Sequence, residues 1–597
     1  MFWPHRRLSS GTLRESAPAT GRSSRLRRAV AHATVGIALI AAGSVVAAPA
    51  HAAGNTLTVN VGTTVRPVTH VAAGGLYGVD EGATAPSLSR LYPLHLNTLT
   101  QPPPGNQQLG NGATTPCCDG LEVADKVTSA GGQQYLRLSD IFSAFPYNWV
   151  SWADWESKLT TMIQERMAAT TTTNIAGYEI WNEPDWTWEG RLDDTEGSFH
   201  DMWTRSYGII RGIDTKTPIA GPGTAEYDHD WMYAFMKHAR DTGTLPDIMV
   251  WHQLGTNSGW QTVQANVDDF RAVESSLGLS HRPISINEYA SPSQVDQPSV
   301  AVHYMAEFER AGVHDAERAY WYEAGTMNGL LHNDQPTASY WAYKWYGDQS
   351  GNIVETVPQS WLDGVASYDA SRKQVNVVFG GDSGNNTVKI NGVGALGSQV
   401  NVTLSRTNDT GRHTNQSAPV TVSTQTYTVA SDGSITVPVN GMNAVMAYQL
   451  LVTPTSGTPT WQQTYEAENA TVVNANTHSS GSASNGSYVG QIDNSADMRD
   501  QSFVDFLVYV PTARTYSMSI KYANATGANA THGLAYNGGA WSTVTYPPTS
   551  SGWGKPTGTA TVNVNLRAGY NMIRLAKGSP GFAGGIGYAE LDNITLR

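Results

Sequence analysis

Cysteine is nearly absent from this chain, and its scarcity narrows both the fold and the chemistry. The 597 residues include only Cys117 and Cys118, which are adjacent. No disulfide can therefore join distant parts of the chain, and no spaced Cys pairs are available for a zinc or redox site. The pair itself is expected either to oxidise to a strained vicinal disulfide or to stay as two thiols. The sequence also lacks a phosphate loop and a nucleotide-binding fingerprint.

Basic residues are also scarce. Lys and Arg number 37 against 50 Asp and Glu, which gives a formal net charge of −13. Such an acidic chain is not expected to bind nucleic acid or anionic membrane surfaces, whereas a neutral polysaccharide is an acceptable partner. The 18 Trp and 27 Tyr are typical of folded domains with sugar-binding surfaces.

A long apolar run occurs only near the N-terminus. Seven Arg lie within residues 6–28, an Ala/Val/Ile-rich run follows at 29–48, and Ala50-His51-Ala52 supplies a cleavage site. This order predicts a secretory signal peptide over residues 1–52 and an extracellular protein. The alternative is an N-terminal membrane anchor, but the run is weakly apolar and ends at a cleavage site.

Between residues 70 and 350, short apolar runs alternate with longer amphipathic stretches. The runs lie at 74–80, 94–99, 135–139, 177–181, 218–221, 247–251, 283–287 and 318–322. The stretches predicted as helices lie at 155–168, 199–213, 231–239, 263–277 and 300–311. Eight strands separated by helices predict a (β/α)8 TIM barrel over residues 70–350.

After residue 350 the pattern changes to the period-two alternation of β-strands. Segments at 374–379, 387–390, 400–404, 420–422 and 444–451 predict a β-sandwich domain over 351–453. An early strand within residues 53–69 is expected to join this domain. A Pro/Thr/Ser/Gly-rich linker is predicted at 454–462, and strands at 503–509, 516–522, 561–566 and 571–575 predict a second β-sandwich over 463–597.

Two glutamates stand where the chemistry of a barrel is expected. Glu183, within Ile180-Trp181-Asn182-Glu183-Pro184, follows the fourth predicted barrel strand, and Glu288 ends the seventh. Side chains at the carboxyl ends of barrel strands meet at one mouth. Hydrolysis of a glycosidic bond needs such a pair, one to protonate the leaving oxygen and one to attack the anomeric carbon or activate water. The alternative, a buried structural carboxylate, is disfavoured because Glu is rarely buried without a partner or a role.

Asn-Glu-Pro after strand four and a second Glu ending strand seven resemble the clan of retaining (β/α)8 glycosidases with catalytic residues on those strands. The resemblance implies that Glu183 is the general acid/base and Glu288 the nucleophile. The early strand, the barrel and the following β-sandwich are most similar to glycoside hydrolase family 39, which includes xylosidases and exo-acting enzymes that trim arabinose-containing side chains. A cofactor for catalysis is not implied.

Further residues near the predicted strand ends are candidates for sugar contact. Asn182 is implied by the resemblance to bind the sugar 2-hydroxyl. His252 could hold Glu288 or a hydroxyl, and Tyr289 and Arg137 could donate hydrogen bonds to Glu288. The other candidates are Trp186, Trp188, Trp321, Glu323, Asp80, Glu81 and Asp140. For the tryptophans and for His252 core packing is the alternative, and for Arg137, Asp140, Asp80 and Glu81 it is an internal salt bridge.

The last predicted domain carries a second resemblance. Tyr465-Glu466-Ala467-Glu468-Asn469 near its start and Glu590-Leu591-Asp592-Asn593-Ile594 near its end resemble carbohydrate-binding modules of family 35, or of the related family 6. The resemblance implies a structural Ca²⁺ held by Glu466, Glu468 and Asp592, whose oxygens suit a hard cation. Exposed acidic residues at the domain ends are the alternative. Tyr488, Asn524, Trp541 and Trp553 are candidates for sugar contact in its loops.

The sequence therefore predicts a secreted, retaining exo-glycosidase that acts on arabinose- or xylose-containing side chains of plant polysaccharide and releases a mono- or disaccharide. A β-xylosidase or an endo-acting hydrolase of the same clan is the alternative among enzymes. An inactive carbohydrate-binding protein is the alternative from another class, although retention of both glutamates argues against it.

Overall fold

The computed structural model describes residues 54–80, 86–109, 116, 118–188, 197–255, 259–319, 325–455, 462–492, 501–510, 512–577 and 589–597. These residues belong to one compact unit that spans residues 53–597. The predicted signal peptide lies outside the described residues. Among the described residues, the helices are all too short or too polar to cross a membrane.

The first part of the unit is a closed barrel of eight parallel strands, which confirms the predicted fold. A long strand, β1 (Thr56–Pro67), precedes it. The barrel strands are β2 (Gly74–Leu76), β3 (Thr98–Gln101), β4 (Gln133–Arg137), β5 (Ile175–Glu179), β6 (Ile219–Thr224), β7 (Ile248–Trp251), β8 (Ile284–Tyr289) and β9 (Asp315–Arg318). A short hairpin, β10 (Leu331–His332) and β11 (Gln335–Pro336), follows the barrel strands.

Helices lie between the barrel strands. They are α1 (Leu88–Leu91), α2 (Ala124–Ser129), α3 (Trp152–Ala168), α4 (Pro184–Thr187), α5 (Phe199–Ile213), α6 (His229–Thr242), α7 (Val263–Ser276), α8 (Pro298–Ala311) and α9 (Ala338–Gly347). Short 3-10 turns lie at Tyr92–Leu94, Leu138–Ile141, Trp260–Thr262, Val393–Leu396 and Ser484–Gly486. The five predicted long helices all form, within a few residues of their predicted ends.

Local sequence signals explain where several helices begin and end. The Ser198 hydroxyl accepts a hydrogen bond from the amide of Asp201, and the Asp201 carboxylate accepts one from the amide of Ser198, which forms a capping box at the start of α5. The Asp228 side chain caps α6, and Gly243 ends it in the left-handed conformation.

The predicted positions of two barrel strands were wrong. The last strand is Asp315–Arg318 rather than 318–322, because it carries buried charged residues and the apolar run lies after it. The second is Thr98–Gln101 rather than 94–99, because Pro93 lies in a 3-10 turn there. A barrel strand that carries buried charged side chains does not form an apolar run in the sequence, so its position cannot be predicted from such runs.

A nine-stranded sheet follows the barrel. Its later strands are β12 (Asn352–Val357), β13 (Asp363–Asp369), β14 (Gln374–Gly380), β15 (Gly384–Asn391), β16 (Gln399–Arg406), β17 (Val420–Thr428), β18 (Ile435–Met442) and β19 (Ala447–Pro454). The order is β17-β16-β19-β14-β13-β12-β1-β15-β18, so β1 lies inside the sheet. Val402 of β16 and Val437 of β18 share one core although their strands lie near opposite ends of the order, so the sheet folds over on itself. The sequence prediction missed β12, β13 and β18.

The C-terminal domain is a sandwich of two antiparallel sheets. Its strands are β20 (Gln463–Glu466), β21 (Thr471–Val473), β22 (Asn476–Ser479), β23 (Ser487–Gly490), β24 (Phe503–Val510), β25 (Arg514–Ala523), β26 (Ala530–Tyr536), β27 (Ser542–Tyr546), β28 (Gly558–Leu566), β29 (Gly569–Lys577) and β30 (Glu590–Leu596). One sheet has the order β22-β23-β30-β25-β28 with β20 beside β30, and the other has β21-β24-β29-β26-β27. A separate apolar core lies between them.

Candidate active site

Glu183 lies after the end of the fourth barrel strand, β5, in an uncommon backbone conformation. Its φ is 52° and its ψ is 50°, the left-handed region that costs a non-glycine residue about 1 kcal/mol or more. Pro184 begins α4 directly after it. The Glu183 amide donates to the carbonyl of Gly223 over 2.7 Å, and the Thr187 hydroxyl donates to the carbonyl of Asn182. These bonds hold the turn that aims Glu183 across the mouth.

Glu288 reaches the same mouth from the seventh barrel strand, β8. The pairing of β8 with β9 shifts register between Ile286 and Tyr289, so one extra residue lies in β8 there. Such a bulge lets neighbouring side chains point in directions that a regular strand would not permit. Asn287 and Glu288 both point into the site as a result, and each bonds a charged side chain there.

The two carboxylates face each other with His252 between them. His252 Nδ1 lies 3.1 Å from Glu183 Oε1, and its Nε2 lies 3.7 Å from Glu288 Oε1. One carboxylate oxygen of each glutamate and a nitrogen of His252 all lie within 4.8 Å of one another. Burial opposes charging of the imidazole, but the carboxylates of Glu288 and Glu183 outweigh it and raise the pKa of His252.

A buried arginine holds Glu288. Arg137 Nη1 donates to Glu288 Oε1 over 2.6 Å, and its Nε donates to Glu179 Oε2 over 2.6 Å. Asn287 Nδ2 donates to the second oxygen of Glu179 over 2.7 Å. Burial alone would disfavour the charged guanidinium, but Glu179 and the other nearby anions raise the pKa of Arg137 well above its usual value. The predicted contact between Arg137 and Glu288 is thus present.

Glu179 was not among the predicted site residues. It is fully buried in β5, and through Arg137 and Asn287 it links β5 to β8, the strand that carries Glu288. A Cβ at Gly223 would lie 2.8 Å from Glu179 Oε1, so the close approach of β6 requires glycine, whose φ is +77°. The sequence signal that could have identified Glu179 is a charged residue on a buried strand, four positions before Glu183.

Asp140 accepts hydrogen bonds from two tyrosines rather than forming a direct salt bridge. The hydroxyls of Tyr77 and Tyr147 both donate to its carboxylate. Burial, opposed by the charge of Arg137, raises the pKa of Asp140 to about 7. It is also too buried to lie at an open sugar surface.

Several polar atoms at the mouth are buried without a hydrogen-bond partner. They include Asn182 Oδ1, His252 Nε2 and Thr224 Oγ1. Buried polar groups are nearly always paired in folded proteins, so such atoms call for a ligand or water. Asn182 directly precedes Glu183, and its position is compatible with the predicted contact to a sugar hydroxyl.

Trp186 lies beside Glu183, as the sequence suggested. Its Nε1 donates to Glu183 Oε2 over 2.8 Å, and the side chain is 40% exposed. Trp188 instead is buried among Trp149, Trp152 and Trp181, so its proposed role at the mouth is corrected to core packing.

Tyr289 does not contact the carboxylate of Glu288, which corrects the prediction. Its hydroxyl donates to the carbonyl of Ala72 over 2.8 Å and pairs with the hydroxyl of Tyr343. The side chain leaves β8 on the face opposite to Glu288 and packs on Tyr304 and Phe308 of α8.

The remaining predicted residues have varied positions. Asp80 lies 3.6 Å from Lys126 Nζ in a partly exposed ion pair, which favours the salt-bridge alternative. Trp321, Glu323 and Glu81 lie outside the described residues. Cys118 is disulfide-bonded, and Cys117 lies outside the described residues.

In the C-terminal sandwich, the three carboxylates proposed to hold Ca²⁺ lie around one turn. Ser484 Oγ donates to Glu466, Ser484 N to Asp592, and Asn485 Nδ2 to Glu468. Glu468 Oε2 is buried without a hydrogen-bond partner. Burial and the charges of Glu466 and Asp592 raise the pKa of Glu468 to about 7. Among the described residues, Glu183, His252 and Glu288 form a group whose potential metal-ligand atoms lie within 4.8 Å of one another. The three carboxylates of the C-terminal sandwich do not form such a group.

The predicted sugar contacts of this domain divide into two groups. Asn524 is fully buried and bonds the carbonyls of Ala528 and Tyr546, so its role is structural. Trp541 and Trp553 are 38% and 43% exposed, and Tyr488 stacks on His478. Both tryptophan rings therefore lie partly at the surface of the domain.

Comparison with known proteins relates the chain to carbohydrate-active enzymes, although no family model matches it. A 3-O-β-L-arabinopyranosyl-α-L-arabinofuranosidase of Bifidobacterium pseudocatenulatum is 25% identical over 473 residues, 67% of this chain and 47% of that protein. A 3-O-α-D-galactosyl-α-L-arabinofuranosidase of Bifidobacterium longum subsp. longum is 25% identical over 471 residues, 67% of this chain and 40% of that protein. The chain thus spans less than half the length of these relatives.

A solved structure is also similar to this chain. Protein N2152 of Neocallimastix frontalis is 32% identical, superposes with a TM-score of 0.62, and is matched over 67% of this chain and 100% of its own length. The barrel fold, the paired carboxylates and the glycosidase homologues all indicate a glycosidase.

Proposed function

We infer that this chain, which belongs to the same family as protein N2152 of Neocallimastix frontalis, is a secreted retaining exo-glycosidase that removes arabinose- or xylose-containing side chains from plant polysaccharide. The observation that carries the proposal is the pair Glu183 and Glu288. One carboxylate oxygen of Glu183 lies within 4.8 Å of one carboxylate oxygen of Glu288 across the barrel mouth. Carboxyl groups of retaining enzymes lie about 5–5.5 Å apart, and those of inverting enzymes about 6.5–9.5 Å apart.

The proposed reaction is a double displacement. In the first step a carboxylate oxygen of Glu288 attacks the anomeric carbon, the bond to the leaving oxygen breaks, and Glu183 gives that oxygen its proton. In the second step Glu183 takes a proton from water, whose oxygen attacks the same carbon and releases Glu288. Both steps invert the carbon, so the product retains the starting configuration.

The surroundings of the two glutamates support these unequal roles. Glu288 accepts a charge-assisted hydrogen bond from Arg137, which fixes the direction of its carboxylate. Glu183 is held by the Trp186 N–H and by His252, contacts that orient its carboxylate. His252 touches both and can stabilise the charge that moves between them during the reaction.

The substrate class is proposed from the relatives. Both curated relatives are named as α-L-arabinofuranosidases whose names include a second sugar at position 3 of the arabinose. Release of an arabinose-containing disaccharide, or of arabinose alone, is therefore the expected activity. The unpartnered polar atoms of Asn182, His252 and Thr224 are suited to bind hydroxyl groups of the first sugar.

We further propose that the C-terminal sandwich binds carbohydrate and that Glu466, Glu468 and Asp592 hold a structural Ca²⁺. All three carboxylates supply oxygen ligands. The oxygen of Glu468 that is buried without a hydrogen-bond partner suits a hard cation. A bound ion would draw the three carboxylates together and offset their mutual repulsion. It would support the fold and take no part in the hydrolysis.

Product analysis tests the main proposal. Purified protein is incubated with gum arabic, arabinoxylan and xylan, and products are identified by mass and linkage. Wild type should release a short arabinose- or xylose-containing sugar with retained configuration, and Glu183→Ala and Glu288→Ala should release none. Absence of any product from wild type would favour a binding protein, and internal cleavage of xylan would favour an endo-acting enzyme.

Azide separates the roles of the two glutamates on an activated aryl glycoside. It should restore activity to Glu288→Ala by taking the place of the nucleophile and give a glycosyl azide of inverted configuration. With Glu183→Ala the azide should instead open the glycosyl-enzyme and give the retained product. The reverse pattern would exchange the two assignments.

A further inference from the structure

An exposed tryptophan, Trp186, contacts the carboxylate of Glu183, and an exposed phenylalanine, Phe145, packs against that tryptophan. Trp186 is 40% exposed and Phe145 is 38% exposed. Their rings meet edge to face with centroids 5.5 Å apart. Trp186 belongs to α4, and Phe145 lies in the loop between β4 and α3. We call this pair the aromatic wall.

The aromatic wall is fixed to the acid/base and to the barrel. Trp186 Nε1 donates to Glu183 Oε2 over 2.8 Å, while His252 Nδ1 lies 3.1 Å from the other oxygen. Phe145 packs edge to face on Tyr147, which in turn donates to the buried Asp140. The wall is therefore an ordered surface rather than a pair of loose side chains.

The position of the aromatic wall determines what can touch it. A general acid donates its proton over hydrogen-bond distance, so the leaving-group oxygen must lie next to Glu183. The sugar bonded to that oxygen then lies next to Trp186. Indole and phenyl rings present broad apolar faces that match the C–H faces of sugars, and two such rings kept exposed beside a reactive group indicate a ligand surface.

We propose that the aromatic wall binds the leaving-group sugar, the unit of the polysaccharide that bears the side chain. The inference rests on the proposed function, since it requires that Glu183 protonate a glycosidic oxygen. Contact with a sugar on this side contributes to transition-state binding, so it selects a polysaccharide or oligosaccharide over a glycoside with a small leaving group. The sequence pointed to Trp186 but gave no sign of Phe145.

A pair of substrates tests the proposal. One is an oligosaccharide that the wild type cleaves, and the other is the methyl glycoside of the released sugar, which needs the acid but has nothing to stack on the wall. Phe145→Ala and Trp186→Ala should lower kcat/KM for the oligosaccharide about tenfold more than for the methyl glycoside. Trp186→Phe keeps a ring but loses the N–H, so it should lower both values by a similar factor.

Trp361→Ala is the matched control, because Trp361 is 55% exposed in the β-sheet domain. It should leave both values unchanged. Equal losses on the two substrates in both alanine variants would overturn the proposal and leave Trp186 as a positioning residue alone. Failure of wild type to cleave either substrate would instead count against the proposed function.

Discussion

The guanidinium of Arg137 lies 2.6 Å from Oε1 of Glu288, with both side chains almost completely buried. The same guanidinium holds Glu179, so one cation serves two carboxylates in the interior of the barrel. This cation binds the carboxylate of Glu288 and fixes its direction. Loss of the cation would leave two buried anions without their partner.

Replacement of Arg137 by Met is therefore expected to damage both activity and stability. We expect kcat/KM to fall by about a hundredfold or more and the free energy of unfolding to fall by about 3–5 kcal/mol. Arg137→Lys should recover part of the activity, because one ammonium cannot reproduce both hydrogen bonds. Initial rates on an aryl glycoside and thermal unfolding measure the two effects.

Lys237→Met provides the comparison, since Lys237 pairs with Asp241 at the exposed surface of α6. Its stability should change by no more than about 0.5 kcal/mol, with unchanged activity. A fully active Arg137→Met enzyme would show that Glu288 does not need the cation.

The sequence predicted the barrel because most of its strands are apolar runs and its long helices are amphipathic. It also located Glu183 and Glu288, since counting strands needs only their order. It could not place the last strand, where Asp315, Glu317 and Arg318 are buried in the barrel interior. Nor could it predict the bulge in β8, which depends on pairing with β9.

The surroundings of the two glutamates depend on contacts between distant parts of the chain. Glu179 meets Asn287, 108 positions later, and Arg137 meets Glu288, 151 positions later. Tyr289 was misassigned because the sequence gives adjacency to Glu288 but not the face of the strand. Burial decides its place, since its ring packs against α8.

Asp140 should make stability depend on pH. Its folded-state pKa of about 7 lies above the ordinary value of 3.8, so the folded state binds the proton more tightly than the unfolded state. The stabilisation from protonated Asp140 is complete below about pH 4 and is lost as pH rises to about 7. The full loss is on the order of 4 kcal/mol.

Thermal unfolding of wild type and Asp140→Asn from pH 4 to pH 8 measures this effect. The wild type should lose stability relative to Asp140→Asn as pH rises from about 4 to 7, with no further change above pH 7. Asp241→Asn is the control, because Asp241 is an exposed carboxylate. A constant difference between wild type and Asp140→Asn across this range would contradict the raised pKa.

The C-terminal sandwich should unfold together with the barrel. Tyr570 of β29 is buried against Trp341 of α9, with ring centroids 5.4 Å apart. Trp341 also donates to the carbonyl of Gln416 in the β-sheet domain, so the three domains meet at this contact. Tyr570→Ala should cost about 3–5 kcal/mol and split a single calorimetric transition into two. Tyr233→Ala, at an exposed site on α6, should do neither.

Ca²⁺ should stabilise the chain through Glu466, Glu468 and Asp592. Burial, and after it the neighbouring carboxylates, raise the pKa of Glu466 and of Glu468, and Glu468 Oε2 is buried without a hydrogen-bond partner, so a cation would relieve desolvation and repulsion together. Because Ca²⁺ would bind the folded state, a hundredfold excess over its dissociation constant should add about 2.7 kcal/mol to the free energy of unfolding.

Calorimetry with Ca²⁺ and with a chelator should show a rise in the unfolding temperature for wild type but not for Glu468→Gln. Glu226→Gln, which changes an acidic residue of the barrel outside this site, should respond as wild type does. An equal response from Glu468→Gln would place the cation elsewhere, and no response from wild type would leave the three carboxylates without an ion.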